Sequence, residues 1–215
     1  MIRTRLRDQH ADEAAFYADR YPGGYQHTRW SDHVERIAAT SSFAAPWLDY
    51  YNITSLADPS AGDGALARAL IATAPRIHQA YVGDLNPGPE LAQGWSSVTP
   101  YVWVNLEPTP LDRSLDQLDL SRENVPVDLL VCSETLEHLD DPDAFLLRAK
   151  RSARSILITT PENETATDNL EHYWGWDSEA VSAMLHEAGW RTVDHTIFQP
   201  LTADTYRFQM WMAHR

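Results

Sequence analysis

Leu56-Ala57-Asp58-Pro59-Ser60-Ala61-Gly62-Asp63-Gly64 decides the fold of this 215-residue chain. A short apolar strand, Ile53 to Asp58, ends on an acid and gives way to a turn of small residues. A helix, Ala65 to Ala74, follows directly and stops at Pro75. Strand, glycine turn and helix in this order mark the corner of a parallel α/β sheet where backbone can approach a ligand closely. Gly62-Asp63-Gly64-Ala65-Leu66-Ala67 also satisfies G-x-G-x-x-G/A, and Asp84 stands twenty residues after Gly64, where a ribose-binding acid is expected.

Working outward, the alternation continues. Gln79 to Gly83 and Tyr101 to Leu106 read as the second and third strands, and Val127 to Cys132 is a continuous apolar run of the kind buried on both faces. Asp141-Pro142 places a capping acid and a first-turn proline at the start of a helix that runs to about Arg151. Ile156 to Thr160 is a fifth strand, and a helix from Ser178 to Ala188 ends at Gly189. Arg191 to Phe198 and Tyr206 to Met212 form a closing hairpin, the second strand half-buried through Tyr206, Phe208, Met210 and Met212. The result is an α/β chain whose sheet is covered by helices on both faces. Residues 1–52 read as a helical preamble or lid and 53–215 as the main domain. Trp30, Val34, Ile37, Ala38, Ser41, Ala45 and Leu48 line one face of a helix, with a bend or break at Pro46.

Composition narrows the partners. Lys and Arg number 17 against 31 Asp and Glu, a net charge of −14, which disfavours nucleic-acid backbones and anionic membranes. A single cysteine, Cys132, excludes an internal disulfide and any multi-cysteine zinc site. The three arginines of Met1 to Asp8 are followed by no apolar core, so this stretch does not read as a secretory signal, and no run of about 18 apolar residues occurs. A cytoplasmic protein is expected; oligomeric state is not legible.

The acids around the glycine turn bear on the ligand. A pyrophosphate would meet Asp58 and Asp63, with no Lys or Arg before Arg68, and like charges in a partly dry site repel. A ligand with a ribose, an adenine and a cationic, phosphate-free end would be welcomed. S-adenosyl-L-methionine has that chemistry.

From Ile53 to Met212 the chain resembles the class I S-adenosylmethionine-dependent methyltransferases, motif by motif and in order. Leu56 to Gly64 looks like their first motif, with Ser60 in place of the first glycine. Val82-Gly83-Asp84-Leu85-Asn86 is similar to the second, whose acid holds the ribose, and Val104-Asn105-Leu106-Glu107 to the third, which faces the adenine. Val127 to Leu139, ending Glu134-Thr135-Leu136-Glu137-His138-Leu139, matches the fourth; Ile158 to Pro161 and Glu187-Ala188-Gly189-Trp190 resemble the fifth strand and the closing signature. The resemblance implies a Rossmann-like, seven-stranded, mostly parallel sheet with an antiparallel last strand. It further implies a cofactor held by Asp58, Ser60, Gly62, Gly64, Asp84, Leu85, Asn105, Leu106 and Ser133. Methyl transfer to an oxygen, or less readily a nitrogen, of a small-molecule acceptor would follow.

Catalytic candidates are His138, just after the fourth strand, with Glu134 beside it, and His172 in Glu171-His172-Tyr173-Trp174-Gly175-Trp176. Each histidine could equally be a packed or capping residue. His27, with Arg29 and Trp30, reads as part of a lid or as an exposed turn. Glu134, Glu137 and His138 are spaced i, i+3, i+4, so a helical segment would bring them to one face and, with His172, make a Mn²⁺-type ligand set. This is similar to the metal-dependent small-RNA 3′-terminal 2′-O-methyltransferases, although Glu162 is inserted in Thr160-Pro161-Glu162-Asn163 and the net charge opposes RNA. An NAD-dependent oxidoreductase and a non-catalytic cofactor-binding domain are the alternatives from other classes. The acceptor itself is not legible, its walls falling in the preamble, Gln93 to Pro100 and Glu162 to Trp176.

Overall fold

The computed structural model describes residues 1–88, 102–105, 126–203 and 206–215. Seven strands form one sheet: β2 (Ser55–Asp58), β3 (Gln79–Val82), β4 (Val102–Asn105), β5 (Val127–Ser133), β6 (Ala153–Pro161), β8 (Arg191–Phe198) and β9 (Phe208–His214). Their order is β4-β3-β2-β5-β6-β9-β8. All neighbours are parallel except β9, which runs antiparallel to both β6 and β8. Strand order reverses between β2 and β5, and their carboxyl ends open the crevice where such sheets bind ligands.

Local sequence sets the helices. The helix α3 (Ala65–Thr73) starts from Gly64 at φ 75°, a left-handed conformation that glycine adopts without strain. Asp141 caps as the sequence implies, accepting from Ala144 N–H at α4 (Pro142–Ser152), and Asp177 does the same at α5 (Ser178–Glu187), accepting from Ala180 N–H. Two apolar clusters cover the sheet. One packs α4 and α5 on β5 and β6 through Phe145, Leu146, Val181 and Leu185. The other packs α2 (Ser31–Tyr50) and α3 on β2 and β3 through Leu48, Leu56, Leu66 and Leu70.

Three sequence expectations change. Helix α2 runs through Pro46 unbroken, because Pro46 and Ser42, whose carbonyl loses its partner, are both exposed and water can replace the bond. Its buried face carries Arg36 and Thr40, whereas Val34 is exposed. Strand β9 is not half-buried: it lies between β6 and β8, Phe208 to Ala213 are all buried, and Tyr206 precedes it. A feature without expectation is β1 (Arg3–Arg5), which pairs antiparallel with β7 (Trp174–Trp176) in a separate two-stranded sheet. Arg3 and Arg5 stack on the Trp174 ring and pair with Asp143 and Asp140.

Candidate functional site

A cavity of about 600 Å³ lies over the carboxyl ends of β2, β3, β5 and β6. Its floor includes Ser60, Gly62, Asp84, Leu85, Ser133 and Glu134; its roof includes Tyr17, Tyr21, Tyr25, His27 and Trp30, from α1 (Glu13–Arg20) and the chain leading to α2.

The glycine turn is built for close approach. Gly62 sits at φ 60°, and a Cβ there would lie 2.7 Å from Cε1 of His27. Its N–H donates to Asp84 Oδ2 (2.7 Å), while Asn86 N–H donates to Asp84 Oδ1 (2.8 Å). Each Asp84 oxygen has thus spent one lone pair on the backbone and keeps another for a ligand. Burial raises the pKa of this carboxyl, opposed by those two bonds.

The neighbouring acids correct the sequence reading. Asp58 is buried, its Oδ1 without a partner among the described residues, and burial together with the Asp84 charge pushes its pKa up to about 8. A carboxyl largely neutral at pH 7 does not repel a phosphate. Asp63 faces His27 rather than the cavity. What opposes a pyrophosphate is instead the cavity's sign: among the described residues lining it, Arg20 is the single Lys or Arg, and it is paired with Glu171.

Asn105 ends β4 beside Val82, and Leu106 lies outside the described residues, as does 93–100. Gly64 is the residue before α3, one step removed from the cavity wall.

The segment after β5 does not become an α-helix at Glu134. A single 3-10 turn covers Leu136 to His138, and Glu134 adopts φ 50°, left-handed backbone that a side-chain-bearing residue rarely takes. The three acid/histidine positions therefore do not share a face. Glu134 Oε1 accepts from Thr159 Oγ1 (2.9 Å) and lies 3.3 Å from the Arg36 guanidinium. Arg36 also donates to Ser133 Oγ (3.2 Å), and its guanidinium lies over the Phe208 ring. Burial raises the Glu134 pKa against the pull of Arg36. Arg36, which no sequence pattern singled out, is thus the buried cation under the floor, on a helix face it shares with Thr40, Ser41, Ala44 and Leu48.

Glu137 is fully buried, with Oε2 bonded by Thr160 Oγ1 (2.9 Å) and Oε1 without a described partner. Burial, reinforced by Glu134, raises its pKa well above the usual carboxylate range.

Hydrogen bonding distinguishes the two histidines. His138 Nδ1 lies 3.1 Å from Glu171 O and 2.8 Å from Tyr17 Oη. A carbonyl only accepts, so Nδ1 carries the proton and Nε2 keeps its lone pair. His172 Nδ1 meets Glu164, and its Nε2 receives Asn169 Nδ2–H (3.0 Å), whose orientation is fixed because Oδ1 accepts from Glu171 N–H. His138 can therefore accept a proton, while both nitrogens of His172 are engaged. Burial, with His172 nearby, lowers the His138 pKa to about 3, so the ring is neutral at pH 7. One oxygen or nitrogen of each of Glu137, His138 and His172 falls within 4.8 Å of the others, and Glu134 stands outside this group.

No protein-family model matches the sequence, and no curated protein matches it. Solved structures do. The chain is similar to 1,6-didemethyltoxoflavin-N1-methyltransferase from Burkholderia thailandensis, crystallised with 1,6-didemethyltoxoflavin and S-adenosylhomocysteine: TM-score 0.67 and 17% identity, covering 99% of this chain and 94% of that one. It is also similar to magnesium protoporphyrin IX methyltransferase from Synechocystis PCC 6803 with bound S-adenosylhomocysteine, with TM-score 0.63 and 14% identity over 95% of this chain and 100% of the other. A cyclopropane synthase from Mycobacterium tuberculosis matches over 76% of this chain and 78% of its own, with TM-score 0.59 and 14% identity. The chain has the Rossmann-like class I methyltransferase fold. Among the described residues no helix is long and apolar enough to cross a membrane.

Proposed function

We propose that this chain is a cytoplasmic S-adenosylmethionine-dependent methyltransferase that methylates an oxygen, less readily a nitrogen, of a small-molecule acceptor. The observation that carries the reading is Asp84. Its two oxygens hold the glycine turn and the Asn86 turn while facing the cavity with free lone pairs, as a ribose diol requires. The group fits: the cavity is large, and neutral or acidic apart from the paired Arg20. S-adenosylmethionine would supply a methyl on a sulfonium, an electrophile whose leaving group is a neutral thioether. Gly62 and Asp84 would hold the bound cofactor, with Glu134, paired to Arg36, at the floor. His138 Nε2 would take the proton that an acceptor hydroxyl gives up as its oxygen receives the methyl. The roof of α1 and Tyr25 to Trp30 partly covers the cavity and limits the acceptor to one that fits beneath it, which favours a small molecule over RNA.

Isothermal titration with S-adenosylhomocysteine is expected to show one tight site and NAD to bind far more weakly. Absence of binding, or a preference for NAD, overturns the reading.

The cluster of Glu137, His138 and His172 favours a second reading, a divalent-metal-dependent enzyme of the RNA 2′-O-methylating kind. The buried His172 and half-buried His138 imidazoles and the carboxylate with an unpartnered oxygen are a chemically suitable donor set for such an ion. Against it stand the engagement of His172 Nε2 by Asn169 and the net charge of −14. This reading expects near-stoichiometric metal in the purified protein and its loss in Glu137→Ala. Metal-free protein whose turnover ignores both Mn²⁺ and chelator ends it.

A further inference from the structure

We infer that Asp63 and His27 are positioning residues for the cofactor: they form a hook that fastens the segment Tyr25–Trp30 over the glycine turn, and the hook governs how long the bound cofactor is retained. This rests on the cofactor reading above.

The second residue of the Gly62-Asp63-Gly64 turn does not border the cavity. Its carboxylate is 4% exposed and receives three donors. Oδ2 accepts from the His27 main-chain N–H (2.9 Å); Oδ1 accepts from His27 Nδ1 (2.8 Å) and from Ala65 N–H (3.1 Å). Burial alone would raise the Asp63 pKa, but the bonds from His27 and Ala65 outweigh it and hold the carboxyl below its ordinary value. An ionised acceptor at the start of α3 therefore grips both the backbone and the ring of one roof residue. The gripped ring lies directly over Gly62, where a side chain would leave no room for it.

A second tether works in parallel. Asn86 Nδ2 donates to the carbonyls of Tyr17 (3.0 Å) and Tyr21 (3.1 Å), at the carboxyl end of α1. Asn86 is itself held by Asp84 through its N–H. The two acids flanking the turn thus divide the work: Asp84 faces the cavity and Asp63 secures the roof. Asp84 and the roof residues border the same cavity, so a loosened roof should let a ligand on Asp84 leave faster.

The test uses S-adenosylhomocysteine as probe. In Asp63→Asn, the amide presents a donor to a site that needs only acceptors; in His27→Ala, the ring bond is lost and the backbone bond remains. Both variants are expected to release the probe about 10- to 100-fold faster, the worth of a charge-assisted hydrogen bond, with the association rate changed much less. His27→Gln restores a side-chain donor and should recover most of the retention, which a general loss of packing would not. Tryptic cleavage after Arg29, in the roof, should be faster in Asp63→Asn and His27→Ala than in the native protein even without ligand. If Asp63→Asn does not fold, His27→Ala decides alone. Folded variants with native release and native cleavage overturn the hook. If the native protein binds no probe, the cofactor reading fails, while the cleavage comparison still decides whether the hook exists.

Discussion

Asp84→Ala is expected to weaken S-adenosylhomocysteine binding by roughly 100- to 1,000-fold in isothermal titration. Two hydrogen bonds from a ribose diol to a carboxylate are charge-assisted, at about 1.5–3 kcal/mol each before the cost of ordering, and roughly 3–4 kcal/mol corresponds to that loss of affinity. The same change frees Gly62 N–H and Asn86 N–H, so the turn and the tether of α1 loosen together. Asp84→Asn should fare little better, since an amide cannot accept from both N–H groups and keep an acceptor for each hydroxyl. A loss smaller than about fivefold would show that Asp84 does not hold the ligand.

The substitution carries a second signature through Asp58. In the native protein Asp58 keeps its proton to about pH 8, against 3.8 for the ordinary group. Between those values the folded chain holds a proton that the unfolded chain has released, so stability falls as pH rises from about 4 to about 8 and levels off above. After burial, the charge of Asp84 is the largest cause. Removing it lowers the Asp58 pKa, and the decline of Tm with pH should become shallower in Asp84→Ala.

The frame of the site was legible because it depends on backbone. Glycines at φ 60° and 75° and an acid at the end of the adjacent strand leave a mark that one-dimensional reading detects. What the side chains do depends on partners brought from afar. Asp58 and Asp63 read as like charges beside the ribose acid Asp84, yet Asp58 is neutralised by burial and Asp63 is spent on His27, while Asp84 faces the cavity. His138 and His172 both read as catalytic candidates, and only Glu171, Glu164 and Asn169 show how each ring is engaged. The i, i+3, i+4 reading of Glu134 failed because spacing predicts a shared face only if the backbone is helical throughout, and Glu134 is left-handed. Strand β1 escaped notice for a related reason: three residues, two of them arginines, carry no apolar alternation, and their burial comes from Trp174, about 170 positions away.

Arg36→Met is expected to lower Tm by about 10 °C, a large effect for one residue outside the ligand's reach. Arg36 is 2% exposed and lies beside Glu134, Ser133 and Thr159 at the end of β5 and β6. Replacing one member of a buried pair leaves the other charge uncompensated, at about 3–5 kcal/mol, and a chain of this size loses roughly 2–4 °C per kcal/mol. Part of the cost is recoverable. Glu134 already has a raised pKa from burial, and without Arg36 it rises further, so the carboxyl protonates more readily and the penalty shrinks as pH falls. Arg36→Met should therefore be most damaging at alkaline pH and milder as the pH is lowered. The double variant Arg36→Met with Glu134→Gln removes the charge permanently and should regain most of the lost Tm at every pH. If the double variant is as unstable as the two single changes added together, Arg36 and Glu134 act independently, and Arg36 serves the core through its contact with Phe208 rather than by holding the carboxylate at the cavity floor.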